Sequence, residues 1–119
     1  MAVTTGKSSI VQTDYLFYDS GVSSTAVDDV FGGAVKIYSI QIQNIHAADD
    51  AYLKLYDVDP TVGTTAPFMI LKSPADSTVV WTSLAGLDMT SVSYAATDAG
   101  GTAGSGAPTT ALKLYMVVR

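Results

Sequence analysis

The sequence has no cysteine and no glutamate, and it has few charged residues of any kind. Charged residues make up 14% of its 119 positions, and all eleven carboxylate side chains are aspartates. The absence of cysteine excludes disulfides, thiolate metal sites and cysteine nucleophiles. Aspartate favours turns and caps, whereas the missing glutamate favours helix interiors. These absences favour a fold built from strands and turns.

Positive charge is also scarce. The chain has five lysines and one arginine, and its net charge is −5. A phosphate backbone is neutralised by clustered basic residues, so nucleic acid is not an expected partner. No apolar run approaches the roughly 18 residues that span a bilayer, and residues 1–9 are polar with no apolar signal core. We therefore expect synthesis in a cytoplasm and no membrane partner.

The residues that are abundant favour a β fold. Hydrophobic residues make up 48% of the chain, which is ample for one core in a chain of 119 residues. Valine, threonine and tyrosine are common, and they suit a pleated, half-buried surface. We predict one all-β domain, an antiparallel β-sandwich that is jelly-roll-like, with seven or eight strands. Residues 1–33 are expected to form an N-terminal arm and first strand, and residues 34–119 the sandwich core.

Alternating apolar and polar residues mark the individual strands. Tyr38, Ile40 and Ile42 are predicted on one face of a strand, and Leu53 and Leu55 point inward from the next, with which it resembles an antiparallel pair. Residues 84–89 resemble a bend, and the small residues 98–110 predict a mobile loop. Strands are predicted at residues 10–18, 38–43, 51–57, 68–72, 78–82, 91–95 and 112–118.

Groups with catalytic or metal-binding potential are few. His46 is the single histidine, in a turn-like context without a nucleophile motif, so a solvent-facing loop position is the simpler interpretation. The aspartate groups at residues 28–29, 49–50 and 57–59 lack the calcium-loop pattern and fit turn capping, although calcium at one of these turns stays an alternative. The glycines at 100–106 lack the ending of a phosphate loop. We predict no catalytic residues, no metal ligands and no cofactor.

Aromatic side chains are the remaining candidates for a binding surface, because tyrosine and tryptophan dominate both cores and binding hot spots. If Leu53 and Leu55 point inward, Tyr52 and Tyr56 share the opposite face, and Tyr115 likewise opposes Leu114 and Met116. These three tyrosines, Tyr52, Tyr56 and Tyr115, are the candidate interface residues. The alternative is that they are ordinary exposed residues or that both sheet faces are partly covered. Trp81 is predicted in the core.

Several short elements in order resemble a group of small structural proteins of tailed bacteriophages. They are the strand YLKLYD at residues 52–57, the loop PTVGTTAP at residues 60–67, the GL bend at residues 86–87 and the strand VSYA at residues 92–95. The resemblance covers roughly residues 34–119 and implies a virion-associated β-sandwich, either a capsid decoration (cement) protein or a tail- or fibre-associated protein. It transfers no catalytic residue.

The resemblance leads to competing expectations about function. The first is a non-enzymatic decoration protein that binds the shell as a homotrimer, with the major capsid protein or other virion proteins as partners. The second is a receptor- or carbohydrate-binding module at a tail or fibre tip. A third, a small hydrolase using His46 or an aspartate pair, lacks an assembled set of catalytic groups.

Overall fold

The computed structural model describes residues 15–119, and this range contains seven β-strands and no α-helix. Accordingly, no helix in this range has the length and hydropathy of a membrane span. The prediction of an all-β fold is confirmed. The strands are β1 (Tyr15–Val22), β2 (Val35–Asn44), β3 (Ala51–Tyr56), β4 (Met69–Ser73), β5 (Ser77–Met89), β6 (Ser93–Thr97) and β7 (Leu112–Val118).

The strands form two antiparallel sheets with a nested order of pairing. The four-stranded sheet runs β1-β7-β2-β5, and the three-stranded sheet runs β4-β3-β6. Within this order β1 pairs with β7, β2 with β5, and β3 with β4. Residues 23–30 lie along β6, where Val27 forms an isolated bridge with Tyr94. Early strands thus pair with late strands, as in a jelly roll whose second strand is reduced to one bridged segment.

The core lies between the two sheets and is formed by the inward positions of each alternating strand. Side chains that are at most 1% exposed include Ile40, Ile42, Leu53, Leu55, Leu112, Leu114, Met116 and Val118. Burying one such aliphatic side chain contributes roughly 1.5–3 kcal/mol. The predicted inward positions Ile40 and Ile42 in β2, Leu53 and Leu55 in β3, and Leu112, Leu114, Met116 and Val118 in β7 are confirmed, and Trp81 packs against the core as predicted.

The predicted pairing of the second and third strands is wrong, because β2 and β3 belong to different sheets. The chain crosses between the sheets in residues 45–50. The buried side chain of Asn44 holds this crossing by donating hydrogen bonds to the carbonyls of Asp49, at 2.9 Å, and Ser73, at 3.0 Å. Period-two alternation identifies strands and their inward faces, but it carries no information about which strands are neighbours.

The predicted bend at residues 84–89 is also wrong, because one strand, β5, runs through it. Ile37 pairs with Leu87 and Ser39 pairs with Thr82, so residues 83–86 bulge opposite the single residue Tyr38. Ile37 and Ile40 are both fully buried although two residues lie between them, whereas residues on one face of a regular strand have a single residue between them. The irregularity therefore places Tyr38 on the outer side, not on the inner face predicted with Ile40 and Ile42.

The first strand extends beyond its predicted turn. Residues 10–14 of the predicted strand lie outside the described residues, and β1 continues past Asp19 to Val22 with a shift in register. The Asp19 carboxylate accepts a hydrogen bond from the Gly21 amide at 2.9 Å, which is a local turn within the strand. The described part of residues 1–33 thus supplies one strand of the four-stranded sheet.

Candidate interaction surface

The outer side of the four-stranded sheet carries two adjacent cross-strand rows without a charged side chain. Register partners in an antiparallel sheet point to the same side, so each row forms a continuous strip. One row is Leu16, Val117, Ser39 and Thr82, and the other is Tyr18, Tyr115, Gln41 and Val80. We call these eight residues the uncharged face.

Several large apolar side chains of the uncharged face are open to solvent. Leu16 is 65% exposed, Val80 56% and Tyr18 49%. Tyr115 and Val117 are partly exposed between them. Clustered exposed apolar and aromatic side chains, with charge absent from the centre, are typical of the core of a protein–protein interface.

Tyr18 and Tyr115 form a stacked pair within this face. Their ring centroids are 4.6 Å apart and the ring planes differ by 24°. Desolvation and a side-chain hydrogen bond with Tyr18 raise the pKa of Tyr115 above its ordinary value. The stacking fixes both rings and reduces the side-chain entropy that a partner would otherwise have to remove. Of the three predicted interface residues, Tyr115 therefore lies on an exposed aromatic surface.

Charged side chains flank the uncharged face on both sides, with Lys113 in the row next to Tyr115 and the remaining ones toward the opposite end of the sheet. Lys36 donates a hydrogen bond to Asp88 at 2.7 Å, which raises the Lys36 pKa. The Arg119 guanidinium lies over the Tyr38 ring, 5.5 Å from its centroid. This pattern matches an interface with an apolar centre and a polar rim.

The outer side of the three-stranded sheet is different, because loops cover it along β3, whereas Ile70 and Lys72 on β4 stay exposed. Tyr52, Lys54 and Tyr56 alternate with the inward leucines of β3, yet Lys54 and Tyr56 are completely buried and Tyr52 is half-buried. Burial raises the pKa of Tyr56, and its hydroxyl has no hydrogen-bond partner among the described residues. This corrects the prediction that Tyr56 lies on a surface. Interface roles for Tyr52 and Tyr115 stay predictions.

The small-residue loop at residues 98–110 supplies part of this cover. The Lys54 ammonium donates a hydrogen bond to the Gly104 carbonyl at 2.6 Å, and burial lowers the Lys54 pKa while Asp98 opposes that shift. A methyl group added at Gly100 would lie 3.2 Å from the Tyr52 ring. Glycine thus lets the loop approach the sheet closely. The sequence predicts a mobile loop here, whereas the structure gives it defined contacts with the sheet.

His46 stabilises a turn in the crossing between the sheets. Its Nδ1 accepts hydrogen bonds from the backbone amides of Ala48, at 3.1 Å, and Asp49, at 2.9 Å. That nitrogen is therefore occupied as an acceptor and does not face a substrate groove. Within residues 15–119, no three histidine, cysteine or acidic side chains are grouped as metal ligands.

Two of the six aspartates considered as calcium ligands, Asp50 and Asp57, act as caps for backbone amides. The Asp57 carboxylate accepts hydrogen bonds from the amides of Thr90, at 2.8 Å, and Ser91, at 2.9 Å, and these bonds lower its pKa. The Asp50 carboxylate accepts one from the Ala75 amide at 3.0 Å, and its pKa is lowered mainly by that bond. This use matches the turn-capping interpretation.

Two open grooves accompany these features. One, of about 500 Å³, lies at the end of the four-stranded sheet between Val35, Met89 and the Lys36–Asp88 pair. The other, of about 450 Å³, is lined by Asp49, Asp50 and Asp98. No histidine is among the described residues that line either groove, and the second groove brings three carboxylates together.

Sequence analysis misses Leu16, Tyr18, Val80 and Val117 as parts of a surface. The signal is present in β1 and β7, where Leu16 and Tyr18 alternate with inward Phe17, and Val117 alternates with Met116. What the sequence does not give is the strand order that places them side by side.

Comparisons with known proteins identify no family. No family model and no curated protein match the chain. A solved structure of Bacillus endospore appendages, described as disulfide-linked pili, is 12% identical with a TM-score of 0.38, over 88% of this chain and 82% of that chain. The tobacco streak virus coat protein is 13% identical with a TM-score of 0.35, over 89% and 85% of the two chains. A chain of infectious bursal disease virus is 15% identical with a TM-score of 0.26, over 88% of this chain and 29% of that chain. These TM-scores are too low to carry an argument, so function is argued from the surface.

Proposed function

We propose that the protein is a non-enzymatic structural subunit of a virus particle, a decoration protein that binds the shell of a tailed bacteriophage. The observation that carries the proposal is the uncharged face, with Leu16, Tyr18 and Val80 exposed around a fixed tyrosine pair. The sequence resemblance supplies the kind of assembly, with the major capsid protein or another virion protein as partner. The location on the virion and the homotrimer are parts of this proposal.

The physical basis of shell stabilisation is mass action. A protein that binds the assembled shell, and not the separated capsid subunits, lowers the free energy of the assembled state. The uncharged face provides apolar area for this binding at roughly 25 cal/mol per Å² removed from water. Because no charge lies at its centre, docking does not require the desolvation of an ion.

The test uses phage shells that lack the protein, to which purified protein is added back. The wild type is expected to bind and to raise the temperature at which shells burst. Leu16→Lys places a charge in the uncharged face and is expected to weaken binding by at least about tenfold. Val58→Lys is the matched control, because Val58 is 52% exposed and follows β3, away from this face, and the charge change is the same.

Two results would contradict the proposal. One is an unchanged bursting temperature with wild-type protein, and the other is equal binding of the Leu16→Lys and Val58→Lys variants. Electron microscopy of native particles separately locates the copies: many copies on the shell, grouped in threes, are expected.

A second candidate, a carbohydrate- or receptor-binding module at the tail or fibre tip, is favoured by the Tyr18–Tyr115 pair, since aromatic rings stack on sugars. However, these two rings already stack on each other. A few copies at the tail, together with oligosaccharide binding that Tyr18→Ala abolishes, would support this candidate in place of the first.

A further inference from the structure

The β5 strand presents a long backbone edge that the described part of the molecule leaves unpaired. It is a terminal strand of its sheet, with β2 as its one neighbour, and it is 13 residues long. A strand edge carries a row of amide and carbonyl groups that can pair with another strand. Such edges are normally short, covered or charged.

The other three sheet edges each have one of these protections. Residues 23–30 cover β6, with the amides of Val27 and Val30 donating to carbonyls of Tyr94 and Val92, both at 2.9 Å. β4 is only five residues long and includes Lys72. β1 includes Asp19 and a shift in register.

The first half of the β5 edge has none of these protections. Residues 77–87 contain no charged residue and no proline, and the segment Thr78 to Thr82 is TVVWT, which consists of β-branched and aromatic residues. Val80 is 56% exposed, and Leu84, in the adjacent bulge, is fully exposed at 102%. Natural edges of this length usually place a lysine or proline where β5 has valine and threonine.

We propose that β5 pairs antiparallel with β5 of a second copy of this chain about a twofold axis. The pairing joins two four-stranded sheets into one continuous eight-stranded sheet. It is a contact between copies and goes beyond the proposed docking to a shell. The five residues 78–82 of each strand would form about four to six backbone hydrogen bonds by the alternating antiparallel pattern.

A second copy fits this edge because the strand is self-complementary. With Val80 opposite its counterpart, Thr78 lies opposite Thr82, and these exposed side chains meet on the outer side. On the inner side Val79 lies opposite Trp81, and both already pack against the core. No charges meet, although each molecule carries −5. The contact therefore adds no close pair of like charges to the general repulsion between the two net charges.

The test measures the molar mass of the free protein, without shells, by sedimentation velocity across a concentration series. The wild type is expected to reach twice the chain mass, because the grouping in threes of the proposed function belongs to the shell-bound protein and the β5 pairing to the free protein. Val80→Lys brings two ammonium groups together at the axis and is expected to raise the dimer dissociation constant at least about tenfold. Val58→Lys, with the same charge change at an equally exposed valine, and Leu16→Lys, in the uncharged face, are expected to dimerise as the wild type does.

Hydrogen exchange of the wild-type protein provides a test that needs no variant. Amides of residues 77–82 are expected to become more protected as concentration rises, while those of β4 are not. Three results would overturn the proposal. One is a wild-type monomer at all concentrations, and another is a dimer or trimer that Val80→Lys does not affect. The third is a dimer that is lost in Leu16→Lys but kept in Val80→Lys. Binding of an extended peptide from another protein, without self-association, would also overturn it.

Discussion

At the scale of single residues, aspartate side chains hold the loops of this molecule. Asp57 accepts hydrogen bonds from two consecutive backbone amides, Asp50 accepts one from Ala75, and Asp19 accepts one from Gly21. The Asp19 bond is a local turn, to an amide two residues away, whereas Asp50 and Asp57 join segments that are far apart in the sequence.

Asp57→Asn is expected to lower the free energy of unfolding by about 1 kcal/mol at pH 7, because hydrogen bonds to a charged acceptor are stronger than those to a neutral one. The folded-state pKa of Asp57 is below its ordinary value of 3.8. Its contribution to stability is therefore complete above about pH 4 and is lost as the pH falls through the folded-state pKa. Urea unfolding from pH 7 to pH 2 should show the variant and the wild type converging at the acid end.

Asp59→Asn is the control for this prediction, because Asp59 is exposed and lies two residues away in the same loop. It should leave the unfolding free energy nearly unchanged at every pH. A difference between Asp57→Asn and the wild type that stays constant down to pH 2 would show that charge is not the source of the effect.

At the scale of elements, the bulge in β5 depends on one glycine. Gly86 has φ of 84°, and a methyl group there would lie 3.0 Å from the Tyr38 ring. Both the backbone conformation and the close ring favour glycine. This bulge also ends the flat part of the β5 edge and leads the strand toward Met89.

Gly86→Ala is expected to lower the unfolding free energy by about 1–3 kcal/mol, from backbone strain and contact with Tyr38 together. Thermal unfolding monitored by circular dichroism measures this. Gly32→Ala isolates the backbone contribution, because φ there is 68° and no atom lies within 4 Å of an added methyl group. Gly86→Ala should cost more than Gly32→Ala, and equal losses would contradict a role for the Tyr38 contact.

The sequence predicts the inward residues of the strands well, because alternation reflects burial of one face in each strand. Ile40, Leu53 and Leu114 follow this rule. It does not predict long-range arrangement. The separation of β2 from β3 depends on the buried Asn44 amide, and the burial of Tyr56 belongs to a sheet face that loops cover. Within the candidate surface, the outward position of Tyr115 follows from alternation along its own strand. Its stacking with Tyr18 cannot be predicted without knowing that β1 and β7 are neighbours.

At the scale of the whole molecule, a side-chain hydrogen bond between β6 and β1 ties the two sheets together, in addition to the Asn44–Ser73 bond. The Tyr94 hydroxyl on β6 donates to the Asp19 carboxylate on β1 at 2.7 Å. Phe17 also contacts Tyr94 edge-to-face, with ring centroids 6.0 Å apart. The first strand is therefore fixed both to its neighbour β7 and across the sandwich.

Tyr94→Phe is expected to lower the unfolding free energy by about 1–2 kcal/mol at pH 7, since a charge-assisted hydrogen bond is lost and the ring packing is kept. Burial and the bond to Asp19 raise the Tyr94 pKa above its ordinary value of 10.0. The folded state therefore keeps a proton that the unfolded state releases, and stability falls as the pH rises above 10. Urea unfolding at pH 7 and above pH 10 should show a smaller alkaline loss for the variant. An equal loss would contradict this source of pH dependence.

The two outer sides of the sandwich differ in how much of each is covered by loops. Loops close over the three-stranded side, whereas the four-stranded side has a bare centre. A subunit attached by its bare side turns residues 101–103, which are exposed, toward the surrounding medium. In this orientation the attached face and residues 101–103 lie on opposite sides of the sandwich. A foreign peptide inserted at those residues would point away from the surface that holds the subunit.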